Sequence, residues 1–368
     1  MKVTGFTAEG FRNLQNVDLR PGEGVNLFYG PNAQGKTNLL EALWLFTGGR
    51  SFRGARDGDM IAFDKEKAAL SMDFTAAGRE QKAAVTLSPR RTAQLNGVEL
   101  GAASKLAGRF CGVVFSPAHL SVVKSGPENR RRFVDGAYCQ QLPADIGAIA
   151  VYERVLQQRN SLLRTMRIAP APGQQELLKV YDSQLAAAGA RLIRVRGAYI
   201  SHIGTFAREI YAGLSRQTEE LELTYCPCGE IPWDSSPEEI RQALAKGLTA
   251  ARSGDLAAGF STLGPHRDDF EVRVNGLSAK VYGSQGQQRS AVLALKLAEA
   301  AALKEVTGEQ PVALLDDVMS ELDEGRQDYL LNRLAGVQVF ITCCEPSSVM
   351  RMAGGVRFRV LGGKVEKE

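Results

Sequence analysis

The octet Gly30-Pro31-Asn32-Ala33-Gln34-Gly35-Lys36-Thr37 fits the spacing G-x-x-x-x-G-K-[ST], and no other stretch constrains the fold as tightly. The pattern carries meaning only between a strand and a helix. Both are legible. Val25-Asn26-Leu27-Phe28-Tyr29 is a short β-favouring run, and Asn38 to Phe46 is apolar at helical spacing through Leu39, Leu40, Leu43 and Phe46. Glycines at 30 and 35 allow backbone conformations closed to other residues, so several N–H groups can turn toward one anion. A helix start adds free donors and the positive end of its dipole. In such a loop Lys36 reaches the β- and γ-phosphates and Thr37 offers its hydroxyl to Mg²⁺. The bland alternative is a glycine-rich turn before a helix; the full octet in this context predicts a nucleotide site.

Two further stretches bear on that site. Val312-Ala313-Leu314-Leu315-Asp316-Asp317 is an apolar run ending in two acids, like the buried strand that carries a Walker B acid. Such a strand is expected beside the P-loop strand, bringing Asp316 to the Mg²⁺ held by Thr37 and leaving Asp317 to polarise the attacking water. Ser284-Gln285-Gly286-Gln287-Gln288-Arg289 precedes a strong helix from Ser290 to Glu305. A serine and a glycine at a helix start form a second anion site by the same donor logic, or simply an N-cap by Ser284. Two phosphate-type sites far apart in sequence, with an acidic strand after the second, form the layout of an ABC-type ATPase head. In such heads the second site faces the nucleotide of a partner subunit.

The 368 residues suggest about two domains, and 44% apolar with 23% charged content suits a soluble globular chain with a sizeable core. No apolar run approaches the ~20 residues of a membrane span. The first residues lack the apolar stretch of a secretory signal, so a cytoplasmic protein is expected. Six cysteines at these spacings form neither a disulfide framework nor a zinc site, and are read as incidental thiols.

Along the chain, Val3, Phe6 and Ala8, then Val17 and Leu19, read as strands. Gly48 to Arg56 is a basic, glycine-rich loop whose arginines either face solvent or phosphate. Residues 68–100 carry short strands with an Asn96-Gly97 hairpin signal. From Lys124 helical patterns take over. Leu178, Tyr181, Leu185, Ala188, Leu192, Val195, Tyr199, His202 and Phe206 form an a/d stripe, and Val151, Val155, Leu162 and Met166 mark a partner helix before Ala169-Pro170-Ala171-Pro172-Gly173. An antiparallel helical hairpin is expected. Between Lys124 and Arg216 stand 14 Lys/Arg against 7 Asp/Glu, a local +7 that leaves −3 for the remainder of a +4 chain. Arg130, Arg131, Arg132, Arg164, Arg167, Arg191, Arg194 and Arg196 supply most of this excess. It reads either as a solvated helix face or as a surface for a phosphate backbone. Strands return at Asp269 to Val274, before an Asn275-Gly276 turn.

With Phe11-Arg12-Asn13-Leu14, Val114-Phe115-Ser116-Pro117, Gly264-Pro265-His266-Arg267-Asp268-Asp269 and Leu314 to Asp323, these motifs together resemble the RecF family of bacterial DNA replication and repair proteins. The resemblance runs from the first strand to the Walker B region. It implies an α/β fold: an ABC-type P-loop ATPase head of mixed sheet and helices over residues 1–123 and 259–368, with an inserted, mainly helical second lobe over 124–258. It implies ATP and Mg²⁺ as ligands, slow hydrolysis, and an ATP-dependent homodimer on double-stranded or gapped DNA. It further implies work with RecO and RecR to load RecA, support of the SOS response, and no membrane partner. By motif match, Ser284, Gln285, Gly286 and Gln287 approach the partner's γ-phosphate, Ser320 to Asp323 form the D-loop, and Arg12 touches the phosphates or base.

Three departures stand out. Asp317 occupies a position where ABC heads commonly have Glu, one methylene longer, which suits a slow ATPase. Thr342 is the nearest candidate where a switch His is common. No Q-loop glutamine is evident near Phe115-Ser116-Pro117. The role of His266 to Asp269 is open between a polar core network and a functional site. Rival classes fit less well: a transporter's nucleotide-binding subunit predicts a Gln loop, a switch His and a smaller insert. An SMC-type chromosome organiser needs a far longer helical seam, and a metabolic kinase would not carry Ser284 to Gln287.

Overall fold

The computed structural model describes residues 1–88, 90–229, 231–344 and 355–368. Two compact units share the chain: Met1–Leu120 with Ile210–Thr218 and Arg289–Glu368, and Ser121–Glu209 with Glu219–Gln288. In chain order the elements begin β1 (Lys2–Glu9), β2 (Val17–Leu19), β3 (Val25–Tyr29), α1 (Lys36–Trp44), β4 (Ala68–Ala76), β5 (Arg79–Leu87), β6 (Thr92–Leu95), β7 (Val98–Glu99) and β8 (Gly112–Phe115). There follow α2 (Leu120–Lys124), α3 (Pro127–Gln141), α4 (Ile146–Ile168), α5 (Gln174–Leu214), β9 (Leu221–Cys226), α6 (Pro237–Ala258), β10 (Asp269–Val274) and β11 (Leu277–Ser278). The chain ends with α7 (Gln285–Thr307), β12 (Val312–Asp316), α8 (Glu324–Arg333), β13 (Val339–Cys343), β14 (Val356–Leu361) and β15 (Lys364–Lys367).

The first unit holds two six-stranded sheets. One is antiparallel, ordered β2-β1-β4-β5-β6-β7; its β1 carries a bulge between Val3 and Gly5, which is why the apolar spacing slips from Val3 to Phe6. The other is ordered β15-β14-β3-β13-β12-β8, parallel except for β15. Its strands β8, β12 and β13 are buried at every position, as expected where both faces of a parallel sheet are covered. Leu39, Leu40 and Leu43 of α1 join side chains from both sheets in one apolar cluster. Within it the Phe28 ring stacks on Phe358 at 4.9 Å between centroids and on Phe340 at 6.1 Å. The acidic strand β12 does not adjoin the P-loop strand as the sequence suggests: β13 lies between β3 and β12. The expectation assumed one common strand order, and strand order is not written in local pattern.

In the second unit α4 and α5 form the expected hairpin across residues 169–173, and β9 and β11 flank β10 in a three-stranded sheet. That pairing of β10 with β9 keeps residues 259–288 in this unit, so its second boundary falls later than the sequence places it. The buried face of α5 also differs from the a/d stripe. Leu178, Leu185, Leu192 and Tyr199 are buried, whereas Tyr181, Ala188, Val195, His202 and Phe206 are only half-buried. Over 41 residues a straight helix drifts from a 3.5-residue repeat by ~20° per heptad, so the face moves onto Ile193, Ile200, Ile203 and Ala207.

Burial also reassigns the arginines. Arg159 is fully buried and reaches Asp182 at 2.7 Å and Asp255 at 2.6 Å. Arg130 pairs with both oxygens of Asp269, and Arg196 with both oxygens of Asp135. These three charges are spent inside the unit. His266, Asp268 and Asp269 belong to the same interior network, while Arg267 is exposed: Tyr152 Oη lies 2.7 Å from His266 Nδ1, the Cys228 N–H donates to Asp268 at 2.8 Å, and Tyr225 donates its hydroxyl to Asp268. Among the described residues no helix is long and apolar enough to cross a membrane.

Candidate nucleotide site

The strand β3 delivers its last residue into a tight loop that α1 closes. Gly30 takes φ 148° with its would-be Cβ 2.3 Å from the Val360 carbonyl oxygen, so no side chain fits there. Gly35 takes φ 113° and caps α1 without any side-chain acceptor, and the first turn holds no acid. The first N–H groups of α1 are therefore left for an anion. Lys36, 8% exposed, folds its ammonium over the loop and donates to the carbonyls of Gly30 at 2.5 Å and Pro31 at 2.8 Å. An open pocket of about 490 Å³ lies over this loop, lined by Asn32 to Thr37, Arg12, Arg53, Asp317 and Thr342 among others.

Although β12 is one strand removed, Asp316 still reaches α1. The Thr37 hydroxyl donates to Asp316 Oδ1 at 2.7 Å, and the Thr342 hydroxyl, on the intervening β13, donates to the same oxygen at 3.0 Å. Burial pushes the Asp316 carboxyl up from its ordinary range, and those two hydroxyls pull it back. Asp317 sits at φ 52°, with its N–H on Thr342 Oγ1 at 3.0 Å and Ser320 Oγ on its carbonyl at 2.8 Å. That left-handed turn separates the two acids: Asp316 is buried behind Thr37, while Asp317 lines the pocket. The site thus offers an anion cradle, a hydroxyl–carboxylate pair of the hard oxygen type that suits Mg²⁺, and a second carboxylate facing the pocket.

The structure brings together Asn32 to Thr37, Arg12 and Asp317 along one pocket, with Asp316 behind it, while Gly30 and Pro31 do not line it and meet the Lys36 ammonium through their carbonyls. Ser284, Gln285, Gly286 and Gln287 lie in the second unit and do not line it. There the Gln287 N–H donates to Ser284 Oγ at 3.2 Å and the Ser284 N–H to Gln287 Oε1 at 2.8 Å, a reciprocal cap on α7, which starts five residues earlier than Ser290. Ser284 and Gln285 remain exposed.

Sequence reasoning missed Glu41 and the β14–β15 turn, and left the basic loop's arginines open between solvent and phosphate. Glu41, 0% exposed on α1, accepts Arg12 through both oxygens. Of the basic loop, Arg53 lines the pocket and donates to Asn38 at 2.9 Å. At the chain's end, the β14–β15 turn braces the loop: the Gly363 N–H donates to the Gln34 carbonyl at 3.0 Å and the Gly362 N–H to Gln34 Oε1 at 2.6 Å. A Cβ on Gly363 would lie 1.9 Å from the Asn13 carbonyl oxygen. Only the Gly362-Gly363 pair in sequence hints at so close an approach.

With this geometry in place, comparison with known proteins is informative. Residues 2–363 match the family described as the RecF/RecN/SMC N terminal domain. The DNA replication and repair protein RecF of Caldanaerobacter subterraneus subsp. tengcongensis is 37% identical over 100% of both chains, and that of Ruminiclostridium cellulolyticum is 35% identical over 99% of both. A solved structure described as the recombination mediator protein RecF with ATP in the RecFOR pathway superposes with a TM-score of 0.93 at 36% identity, covering 100% of this chain and 97% of that one. An SMC head domain from Pyrococcus furiosus shares the fold, with a TM-score of 0.54 at 14% identity. The chain belongs to the RecF family of DNA replication and repair proteins, on the ABC-type ATPase fold that this family shares with SMC heads.

Proposed function

We propose that the chain is an ATP-dependent switch of recombinational repair and replication, in which nucleotide binding assembles two copies on DNA and slow hydrolysis resets them. The hydrogen bond from Thr37 to Asp316 at 2.7 Å, at the back of a pocket floored by the P-loop, carries this reading. It joins the two motifs that a Mg-nucleotide site needs across 279 residues of sequence. Asn32 to Gly35 cradle the phosphates with their N–H groups, Gly30 and Pro31 shape the turn, Lys36 leaves its loop carbonyls for the β- and γ-oxygens, and Arg12 meets the nucleotide from the rim. Thr37 and Asp316 would hold Mg²⁺, which when bound neutralises charge on the transferred phosphoryl group. Asp317 orients the attacking water. Ser284 to Gln287, with Ser284 and Gln285 exposed and Ser284 and Gln287 holding one another in a cap, close the site of a second copy.

DNA meets the second unit through those arginines that burial leaves outside. Arg164, Arg167 and Arg194 are exposed and have no carboxylate partner among the described residues. In this reading RecO and RecR are the chain's partners, which the RecFOR pathway named for the solved relative supports, and the role extends to loading RecA on gapped DNA, the SOS response and a cytoplasmic setting. The test is ATP binding and turnover with Mg²⁺. Wild type binds and hydrolyses slowly; Asp317→Asn keeps binding but loses about 100-fold in turnover, the scale of one positioned acid–base group. A wild type that binds no ATP, or an Asp317→Asn variant with unchanged turnover, contradicts the assignment.

A further inference from the structure

Glu41 is a fully buried carboxylate at the edge of the nucleotide pocket, and it is the point where three separate segments meet. From the turn after β1, Arg12 donates Nε to Glu41 Oε2 at 2.8 Å and Nη2 to Oε1 at 3.0 Å. From the loop after α1, Ser51 donates its hydroxyl to Oε1, and Arg53 brings Nη1 to 3.6 Å from Oε2. Ser51 Oγ in turn accepts the N–H groups of Arg53 at 3.1 Å and Ala55 at 3.3 Å, so the whole loop hangs on this carboxylate. The remaining donor of Arg12, Nη1, reaches the Asp59 carbonyl at 3.1 Å. Arg53 continues toward the P-loop through Asn38, Asn13 and the Ala33 carbonyl, at 2.9, 2.7 and 3.4 Å.

We propose that Glu41 is a positioning residue for nucleotide recognition: it holds Arg12 and Arg53 as a preorganised cationic rim aimed at the phosphates. Two guanidinium groups share one carboxylate, so the cluster keeps one net positive charge at a pocket that both arginines line. A bidentate pair fixes the plane of Arg12 as well as its position. Fixing long side chains before binding removes the ordering cost that a free arginine would bring. Arg12 itself sits at φ 51°, a left-handed conformation uncommon outside glycine, which the bond from its own N–H to the Met60 carbonyl at 2.9 Å and the Glu41 pair together hold. A helix-interior glutamate with no i±4 basic partner is otherwise unexplained on the buried side of α1.

This inference rests on the nucleotide reading above, and one set of titrations separates the two. ATP affinity is measured at fixed Mg²⁺ for wild type, Glu41→Gln, Arg12→Ala with Arg53→Ala, and all three changes together. Glu41→Gln is expected to weaken ATP binding about tenfold, the effect of a lost charge-assisted bond. Because Glu41 acts through the arginines, it should cost nothing more in the double-alanine background. If Glu41→Gln fails to fold, as judged by circular dichroism, Ser51→Ala takes its place, since it frees the Arg53 loop and leaves the Arg12 pair intact. It should weaken ATP about threefold, and not at all when Arg53 is already alanine. Wild-type affinity in Glu41→Gln or in its stand-in Ser51→Ala, or an equal loss from either with the arginines already gone, overturns the positioning role alone. A wild type that does not bind ATP overturns the nucleotide reading with it.

Discussion

Single residues in this chain have their chemistry decided by what is packed around them. His266 is the plainest case: burial pushes its imidazole down to about 4, with the nearby Arg267 and Arg131 adding to the effect and the Ser261 carbonyl and Asp255 opposing it. An unfolded chain titrates this group near about 6.5. Between those values the unfolded state takes up a proton that the folded state refuses, so acidification through that window removes stability. The loss is about 3 kcal/mol and is complete below about pH 4. His119, half-buried near Lys296, acts in the same direction. Urea unfolding of wild type and His266→Gln at pH 7.5 and 5 should show the smaller pH effect in the variant; equal effects would contradict the assignment. At this scale the sequence was legible where a motif defines a placement, at Gly30, Lys36, Thr37 and Asp316. It was silent on Glu41 and left Arg53 among loop arginines that face either solvent or phosphate, because both side chains are placed by contacts with residues 10 to 29 positions away.

Elements combine local pattern with partners that pattern does not reveal. The P-loop strand and helix, the acidic strand and the α4–α5 hairpin all stand where apolar periodicity puts them, because each buries a face along its length. Strand order, the β14–β15 brace on the P-loop and the drift of the α5 face depend on tertiary pairing. So do the buried arginines, which composition reads as surface charge. Asp255 shows the cost of that misreading: it accepts Arg159 and, through its other oxygen, the N–H and hydroxyl of Thr262 at 2.8 and 2.6 Å. Asp255→Ala strands a buried guanidinium that joins α4 to α5 and α6. It should destabilise the protein by about 3 kcal/mol in urea unfolding. A change below about 0.5 kcal/mol, the size expected at an exposed site, would show that the triad is not a structural keystone.

At the scale of the whole molecule, each unit carries a different part of the proposed switch. The first unit holds the pocket and both acids; the second holds Ser284 to Gln287 and the exposed arginines. Replacing Arg164, Arg167 and Arg194 with alanine should weaken DNA binding and lower the slope of log affinity against log salt by about 2 to 3, since each lost phosphate contact releases about one counterion fewer. An unchanged slope would place the DNA elsewhere. The central claim is that ATP is part of an interface between two copies, and sedimentation tests it most directly. With ATP and Mg²⁺ the wild type should shift from monomer to dimer and with ADP it should not, while Ser284→Arg should stay monomeric despite binding ATP. An ATP-bound wild type that remains monomeric, or a Ser284→Arg variant that dimerises normally, would contradict the account.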